Sequence, residues 1–216
     1  MRNKKIIIPL AVFLMGGMIS ILGFYKYDSS RLNNLSRIIS SKKTYPTNDE
    51  INNVIYKTAI EYANTVTWVY DPTYYKIPYP NGDVPSGGAC TDVVIRVLRK
   101  NNLDLQRLIH EDMTSHFSAY PQNWGLHNPD ANIDHRRVPN IMKYFERQGY
   151  SLALTNDATD YKPGDIVTWS LSPGVTHIGI VLENKDVFHN MGPTSRIDRD
   201  FLFSHKIIGH YRIENP

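Results

Sequence analysis

A single cysteine, Cys90, stands among the 216 residues. It has no partner for an internal bridge, so a fold stapled by disulfides is excluded. No internal repeat and no low-complexity tract is present, which rules out solenoids and propellers. Charge of one sign is also scarce. The net charge is +3, and Arg2, Lys4, Lys5 and Lys26 against Asp28 account for all of it. Residues 29–216 are therefore neutral as a group, and the basic footprint of a nucleic-acid binder is missing. No spacing of the H-E-x-x-H kind occurs. His110, Glu111, Asp112, His127, Asp130, Asp134 and His135 are ligand types without a ligand pattern; they read as a polar loop network, and no metal and no cofactor is expected. With 41% hydrophobic and 21% charged residues, the chain can build a core, so wholesale disorder is excluded.

What the chain does have begins at its N-terminus. Residues 6–24 form an uncharged apolar run behind a basic start. A membrane-crossing helix needs roughly 20 such residues, whereas secretory signal cores run about 7–15. No small-x-small cleavage site and no lipobox cysteine follows. Residues 1–28 are expected to be an uncleaved signal anchor, with a cleaved signal peptide as the alternative. The positive-inside rule then puts the rest of the chain outside the cytoplasm, with the inner membrane as a partner if the anchor stays. Polar residues 29–46 read as a linker, and residues 47–216 as the folded domain.

Thr47-Asn48-Asp49-Glu50 has capping-box spacing, and Ile51, Val54, Ile55, Ala59, Tyr62 and Val66 recur at helical spacing behind it. Residues 70–89 carry Pro72, Pro78, Pro80, Pro85, Gly82, Gly87 and Gly88 and must be a shaped loop. A second helix starts at or near Cys90 and closes near Asn101. A third spans Leu105 to Met113, and a fourth lies between Pro139 and Gly149. From residue 161 the pattern turns to period two. Strands are expected over Ile166–Leu171, His177–Leu182, Val187–His189 and Ile207–Ile213. Helices first and strands second argue for an α+β fold with an antiparallel sheet.

A thiol attacks as its thiolate, and free cysteine has a pKa of about 8.5. A helix N-terminus favours the anion, and the Cys90 N–H can serve as an oxyanion donor. His177 opens an apolar strand, and His189 follows twelve positions later. In a hairpin the two can face each other, so that His177 is the base and His189 its orienter. Each residue alone reads as ordinary: a buried small hydrophobe, or a core or surface histidine. Together they form a nucleophile constellation.

Tyr161-Lys162-Pro163-Gly164-Asp165-Ile166-Val167-Thr168-Trp169, then His177-Ile178-Gly179-Ile180-Val181-Leu182, then Val187-Phe188-His189 resemble the signature of NlpC-type cell-wall cysteine peptidases and amidases. Gly87-Gly88-Ala89-Cys90-Thr91-Asp92 is similar to the start of their nucleophile helix, although the usual Asp-Cys-Ser-Gly is replaced. The middle segment, including Asn132-Ile133-Asp134-His135-Arg136-Arg137-Val138-Pro139-Asn140, resembles the YijF-like bacterial domain of unknown function. The resemblance implies a papain-like NlpC-type fold, Cys90 as nucleophile, His177 as base and His189 as orienter. It also implies a Tyr lining the oxyanion region, for which Tyr79 is the candidate, though a packing role suits Tyr79 as well. Asp165 is expected to cap a turn. Arg136 and Arg137 can hold a substrate carboxylate bidentately, and Trp124 lies in the same segment as a further substrate-binding candidate.

The function these readings point to is a thiol hydrolase of the bacterial envelope that cleaves an amide or peptide bond, with peptidoglycan peptides as substrate. Three other classes use the same residues differently: an acyl or amide transferase, a non-catalytic wall-binding or partner-binding module, and a metal-dependent hydrolase built on the middle segment.

Overall fold

The computed structural model describes residues 47–214. The expected membrane helix over 1–28 and the linker over 29–46 lie outside the described residues. Among the described residues, no helix is long and apolar enough to cross a membrane.

Helix α1, Asn48–Thr65, starts where its capping box dictates. Glu50 N–H donates to Thr47 Oγ1 at 3.2 Å, and Thr47 N–H donates back to Glu50 Oε2 at 2.6 Å. Helix α2 is Cys90–Lys100, α3 is Leu105–His116 and α4 is Val138–Arg147, the last with Pro139 in its first turn, where a missing N–H costs nothing. The strands are β1 Ile166–Ser172, β2 Val175–Val181, β3 Val187–Asn190, β4 Ser195–Asp198 and β5 Lys206–Tyr211. They form one sheet in the order β4-β3-β2-β1-β5, with every pairing antiparallel. The α+β expectation is met. Four of the five strands lie where period two puts them, and β4 is an addition.

The alternation of strand side chains gives the sheet two buried faces. Ile166, Ile178, Ile180 and Phe188 face the helices and pack with Ile55, Val94, Leu98, Ile109 and Phe145. Val167, Trp169, Val181 and Val187 face the other way and pack with Tyr161, Phe201 and Leu202. Each fully buried side chain of this size contributes about 1.5–3 kcal/mol of transfer free energy. Asp165 does cap the turn before β1, accepting from Lys162 N–H at 2.8 Å, but it does more. Wholly buried, it also accepts from Asn52 at 2.8 Å, His210 at 2.7 Å and Arg212 at 2.8 Å. One carboxylate thereby ties α1, β1 and β5 together.

Candidate active site

Cys90 is the first residue of α2, as the glycines before it suggest. Gly87 has φ +59°, and a Cβ on it would lie 2.3 Å from the Val69 carbonyl oxygen. Gly88 has φ +141°, and a Cβ there would lie 2.7 Å from Asp92 Cβ. Only glycine fits both. The space they leave admits Asp92, whose carboxylate accepts from Ala89 N–H at 2.6 Å and so caps a helix whose own cap residue has no acceptor.

The loop is also tied to the sheet. Asn190 donates from Nδ2 to Gly88 O at 2.8 Å and to Trp68 O at 3.1 Å. Its neighbour His189 points to the opposite face of β3. There it meets His177: His177 Nε2 and His189 Nδ1 are 2.8 Å apart. The pairing Ile180↔Phe188 makes His189 the cross-strand neighbour of Gly179 and the diagonal neighbour of His177. Gly179 is what permits this, because a Cβ on it would lie 2.7 Å from Val187 Cγ1 and 3.1 Å from His189 Cβ. The chain of contacts continues. His189 Nε2 lies 2.9 Å from Asp198 Oδ2, and Arg196 holds that carboxylate from Nε at 2.7 Å and Nη2 at 2.9 Å.

The structure thus brings His177 and His189 together and adds Asp198, which sequence reasoning missed. Cys90, at the start of α2, lies against Ile178, the residue after His177 on β2. Its sulfur faces the Ile178 N–H, which stabilises the thiolate, while the His177 ring packs beside Trp169, with centroids 5.8 Å apart, on the other side of the strand. Among the described residues, no hydrogen bond joins Cys90 Sγ to either imidazole in this resting arrangement.

The electrostatics correct one expectation. The helix N-terminus does not make Cys90 a ready thiolate: burial pushes the thiol up to about 11, outweighing hydrogen bonds from the Ile178, Thr91 and Cys90 backbone, and Asp92 adds to the rise. A helix end contributes only about 0.3–1 kcal/mol, too little to offset removal of the charge from water. His177 moves the other way. Burial brings it down to about 3, helped by His189 and His205. His189 is lowered by burial despite Asp198. For Asp198, burial works upward, but hydrogen bonds from Arg196 and His189 hold it below the usual carboxylate range. At neutral pH the resting site is a neutral thiol, two neutral imidazoles and one carboxylate.

A pocket of about 220 Å³ opens above Cys90, lined by Tyr70, Pro72, Trp124, Arg137 and Thr176 among others. Trp124 and Arg137 form one wall, with the guanidinium carbon 4.1 Å from the indole centroid and Arg137 anchored to Asp134 at 3.0 Å. Arg136 is different from its expected role. It is buried beneath the pocket and gives Nε and Nη2 to Asp92 at 2.9 and 3.0 Å and Nη1 to Thr73 O at 2.7 Å. Every nitrogen is engaged, Nη2 also reaching Asp71 O at 3.4 Å, so no fork of donors is left to hold a substrate carboxylate bidentately; Arg136 fixes the helix cap instead. Tyr79 is not in the pocket. It packs against His110 with ring centroids 5.0 Å apart. Tyr70 lines the pocket: burial, then the nearness of Cys90 and Asp92, raises its phenol.

The middle-segment candidates for a metal are dispersed. Asp112 pairs with Arg147 at 2.6 Å and Tyr120 at 2.5 Å, Asp134 accepts from Asp130 N–H at 2.5 Å, and His135 is buried and pushed down to about 3 by desolvation and the nearby Arg99 and Arg136. Among the described residues, no three such side chains gather into a metal-holding group.

The family model described as "Domain of unknown function (DUF1287)" matches residues 57–213. The chain belongs to this family. It is 47% identical over 153 residues to the uncharacterized protein YijF of Escherichia coli, a match covering 68% of this chain and 74% of that one. Among solved structures it is similar to NlpC2 and NlpC1 of Trichomonas vaginalis, with TM-scores of 0.42 for both and identities of 14% and 12%. Those matches cover 81% of this chain and 49% and 47% of the others, so the chain spans about half the length of the solved structures it matches.

Proposed function

We propose that this DUF1287 domain has the papain-like frame of NlpC-type enzymes and is a thiol hydrolase that cleaves an amide or peptide bond in peptidoglycan peptides outside the cytoplasm. The observation that carries the reading is a helix-terminal sulfur that lines a pocket and faces the Ile178 N–H, next along β2 to the first member of a buried imidazole chain ending on a carboxylate.

The neutral resting site dictates the order of events. His177 takes the Cys90 proton as sulfur approaches the substrate carbonyl, so the base acts during attack and not before it. The Cys90 N–H, first in its helix and without an intrahelical acceptor, faces the developing oxyanion, with the Tyr70 hydroxyl on the same side. The tetrahedral adduct collapses, the C–N bond breaks, and His177 returns the proton to the leaving amine. Water then attacks the thioester by the same route and frees Cys90. The first step requires His177 to swing round from the Trp169 side of β2 toward the sulfur. Trp124 and Arg137 supply an apolar face and a cation beside the scissile bond, a combination that suits the carboxylate-bearing stem peptides of the wall. The N-terminal apolar run of residues 6–24 supports a location outside the cytoplasm.

One observation favours a second reading, a non-catalytic binding module: Cys90 has a raised thiol and no hydrogen bond to His177. Incubating purified wall peptides with the wild-type domain and with Cys90→Ala, followed by mass spectrometry, separates the two. The hydrolase yields fragment pairs that each gain the elements of water across one bond, and Cys90→Ala yields none. Wall peptides left intact by both proteins speak for the module, and fragments released equally by Cys90→Ala would assign the chemistry to a group other than Cys90.

A further inference from the structure

We propose that Asp198, clamped by Arg196, is a positioning residue that fixes the tautomers of both imidazoles and so leaves the lone pair of His177 Nδ1 as the free end of the chain. The proposal rests on the thiol-hydrolase reading for its purpose, but its geometry stands independently.

The argument is one of donors and acceptors. An ionised carboxylate can only accept, so the 2.9 Å contact with Asp198 Oδ2 requires His189 to carry its proton on Nε2. A neutral His189 then has a lone pair on Nδ1. The 2.8 Å contact between that atom and His177 Nε2 requires the His177 proton to sit on Nε2. His177 Nδ1 is thus unprotonated, and it makes no hydrogen bond to a described residue. When Nδ1 takes the thiol proton, the resulting imidazolium is stabilised through His189 by the Asp198 charge, and no proton needs to move along the chain.

Several features make this more than an edge-strand ion pair. His189 is completely buried, so it has no water to choose its tautomer. Phe201 covers its ring with centroids 4.5 Å apart, and Trp169 and His205 close the surroundings of His177 and Phe201. The charged and titratable groups facing the pair are Asp198, Arg196 and His205. Arg196 uses two nitrogens on Asp198 and places a third on the Gly192 carbonyl, which holds the carboxylate oxygen toward His189. A fork of this kind is a rigid device, as a lysine would not be.

The test uses imidazole ¹⁵N–¹H long-range correlation spectra of the domain, with Asp198→Asn and Asp198→Ala as variants. The wild type should show both rings as Nε2–H tautomers at neutral pH. In both variants the Nε2–H form of His177 should lose its dominance, with the tautomer ratio falling about ten- to a hundredfold, the worth of one charge-assisted hydrogen bond. Thioester formation at Cys90 with an activated ester should slow by a similar factor while thermal melting stays near wild type, and Asp198→Glu should restore part of it. Wild-type spectra with His177 protonated on Nδ1 would overturn the proposal. So would variants that melt normally and keep the wild-type tautomers. Correct tautomers together with Cys90 reactivity that ignores His177→Ala would uphold the relay and remove the hydrolase reading instead.

Discussion

Replacing Arg136 by Ala should damage the fold far more than replacing its neighbour Arg137. The two side chains are adjacent in sequence and both border the pocket, yet their electrostatic situations differ. Arg136 and Asp92 form a bidentate pair whose side chains are 2% and 3% exposed. Truncating Arg136 leaves Asp92 buried with only the Ala89 N–H as partner, and breaking such a pair costs about 3–5 kcal/mol. Arg137 is 16% exposed and gives Asp134, itself 1% exposed, a single hydrogen bond at 3.0 Å in place of a fork, and its contact with Trp124 adds about 0.5–1 kcal/mol. For a domain of this size, each kcal/mol moves Tm by roughly 2–4 °C, so Arg136→Ala should lower Tm by about 6–20 °C and Arg137→Ala by less. The double variant Asp92→Leu/Arg136→Met should be more stable than Arg136→Ala alone, because it removes the unpaired charge. Differential scanning fluorimetry and urea titration read all four proteins. An Arg136→Ala protein that melts within about 3 °C of wild type would refute the buried-clamp reasoning and return Arg136 to the substrate side of the pocket.

Other outcomes follow from the same geometry. Arg137→Ala should raise KM for wall peptides more than it lowers kcat, and the reverse pattern in steady-state kinetics would assign Arg137 a structural role. Gly179→Ala forces a Cβ to 3.1 Å from His189 Cβ, so it should separate the imidazoles and abolish their coupled ¹⁵N signals; unchanged signals would contradict the close-approach argument. Stability should fall in mild acid: His177 and His135 are buried and held down to about 3, so the unfolded chain, with ordinary histidines near 6.5, binds their protons first. Their contribution is complete above about pH 6.5 and is lost progressively as pH drops toward 3, which urea midpoints at pH 7 and pH 5 will read; equal midpoints would count against neutral buried histidines. Finally, alkylation of Cys90 by iodoacetamide should keep accelerating as pH climbs toward 11, whereas a plateau near neutrality would mean that burial does not control the thiol.

Much of this was legible in the sequence where the determining contacts are local. Thr47 and Glu50 announce α1 because a capping box is complete within one turn. Pro139 announces α4, and period two announces the strands that carry His177 and His189. Their twelve-residue spacing sufficed to bring the rings together, since a hairpin fixes which residues are diagonal. What stayed hidden depends on contacts between distant segments. Arg136 beside Arg137 reads as solvent-facing, and nothing nearby reveals that Asp92, 44 residues earlier, buries it. The stretch Ser195-Arg196-Ile197-Asp198 has one apolar residue and sits at the sheet edge, so β4 leaves no alternating pattern, and with it Asp198 escaped notice. Which tyrosine lines the pocket is hidden because the Pro-rich loop offers no periodicity from which to choose between Tyr70 and Tyr79. The state of Cys90 was misjudged for a different reason. A helix end can be read from sequence, but the depth at which it is buried cannot.

The most direct trial of the central claim is intact-protein mass spectrometry after brief exposure to a p-nitrophenyl ester at neutral pH. The account predicts a single acyl adduct on Cys90, none on Cys90→Ser within the same interval, and formation slowed about 10²–10⁴-fold by His177→Ala, the usual worth of a positioned base. An adduct that forms on His177→Ala as fast as on the wild type, or one that never forms on Cys90, would contradict it.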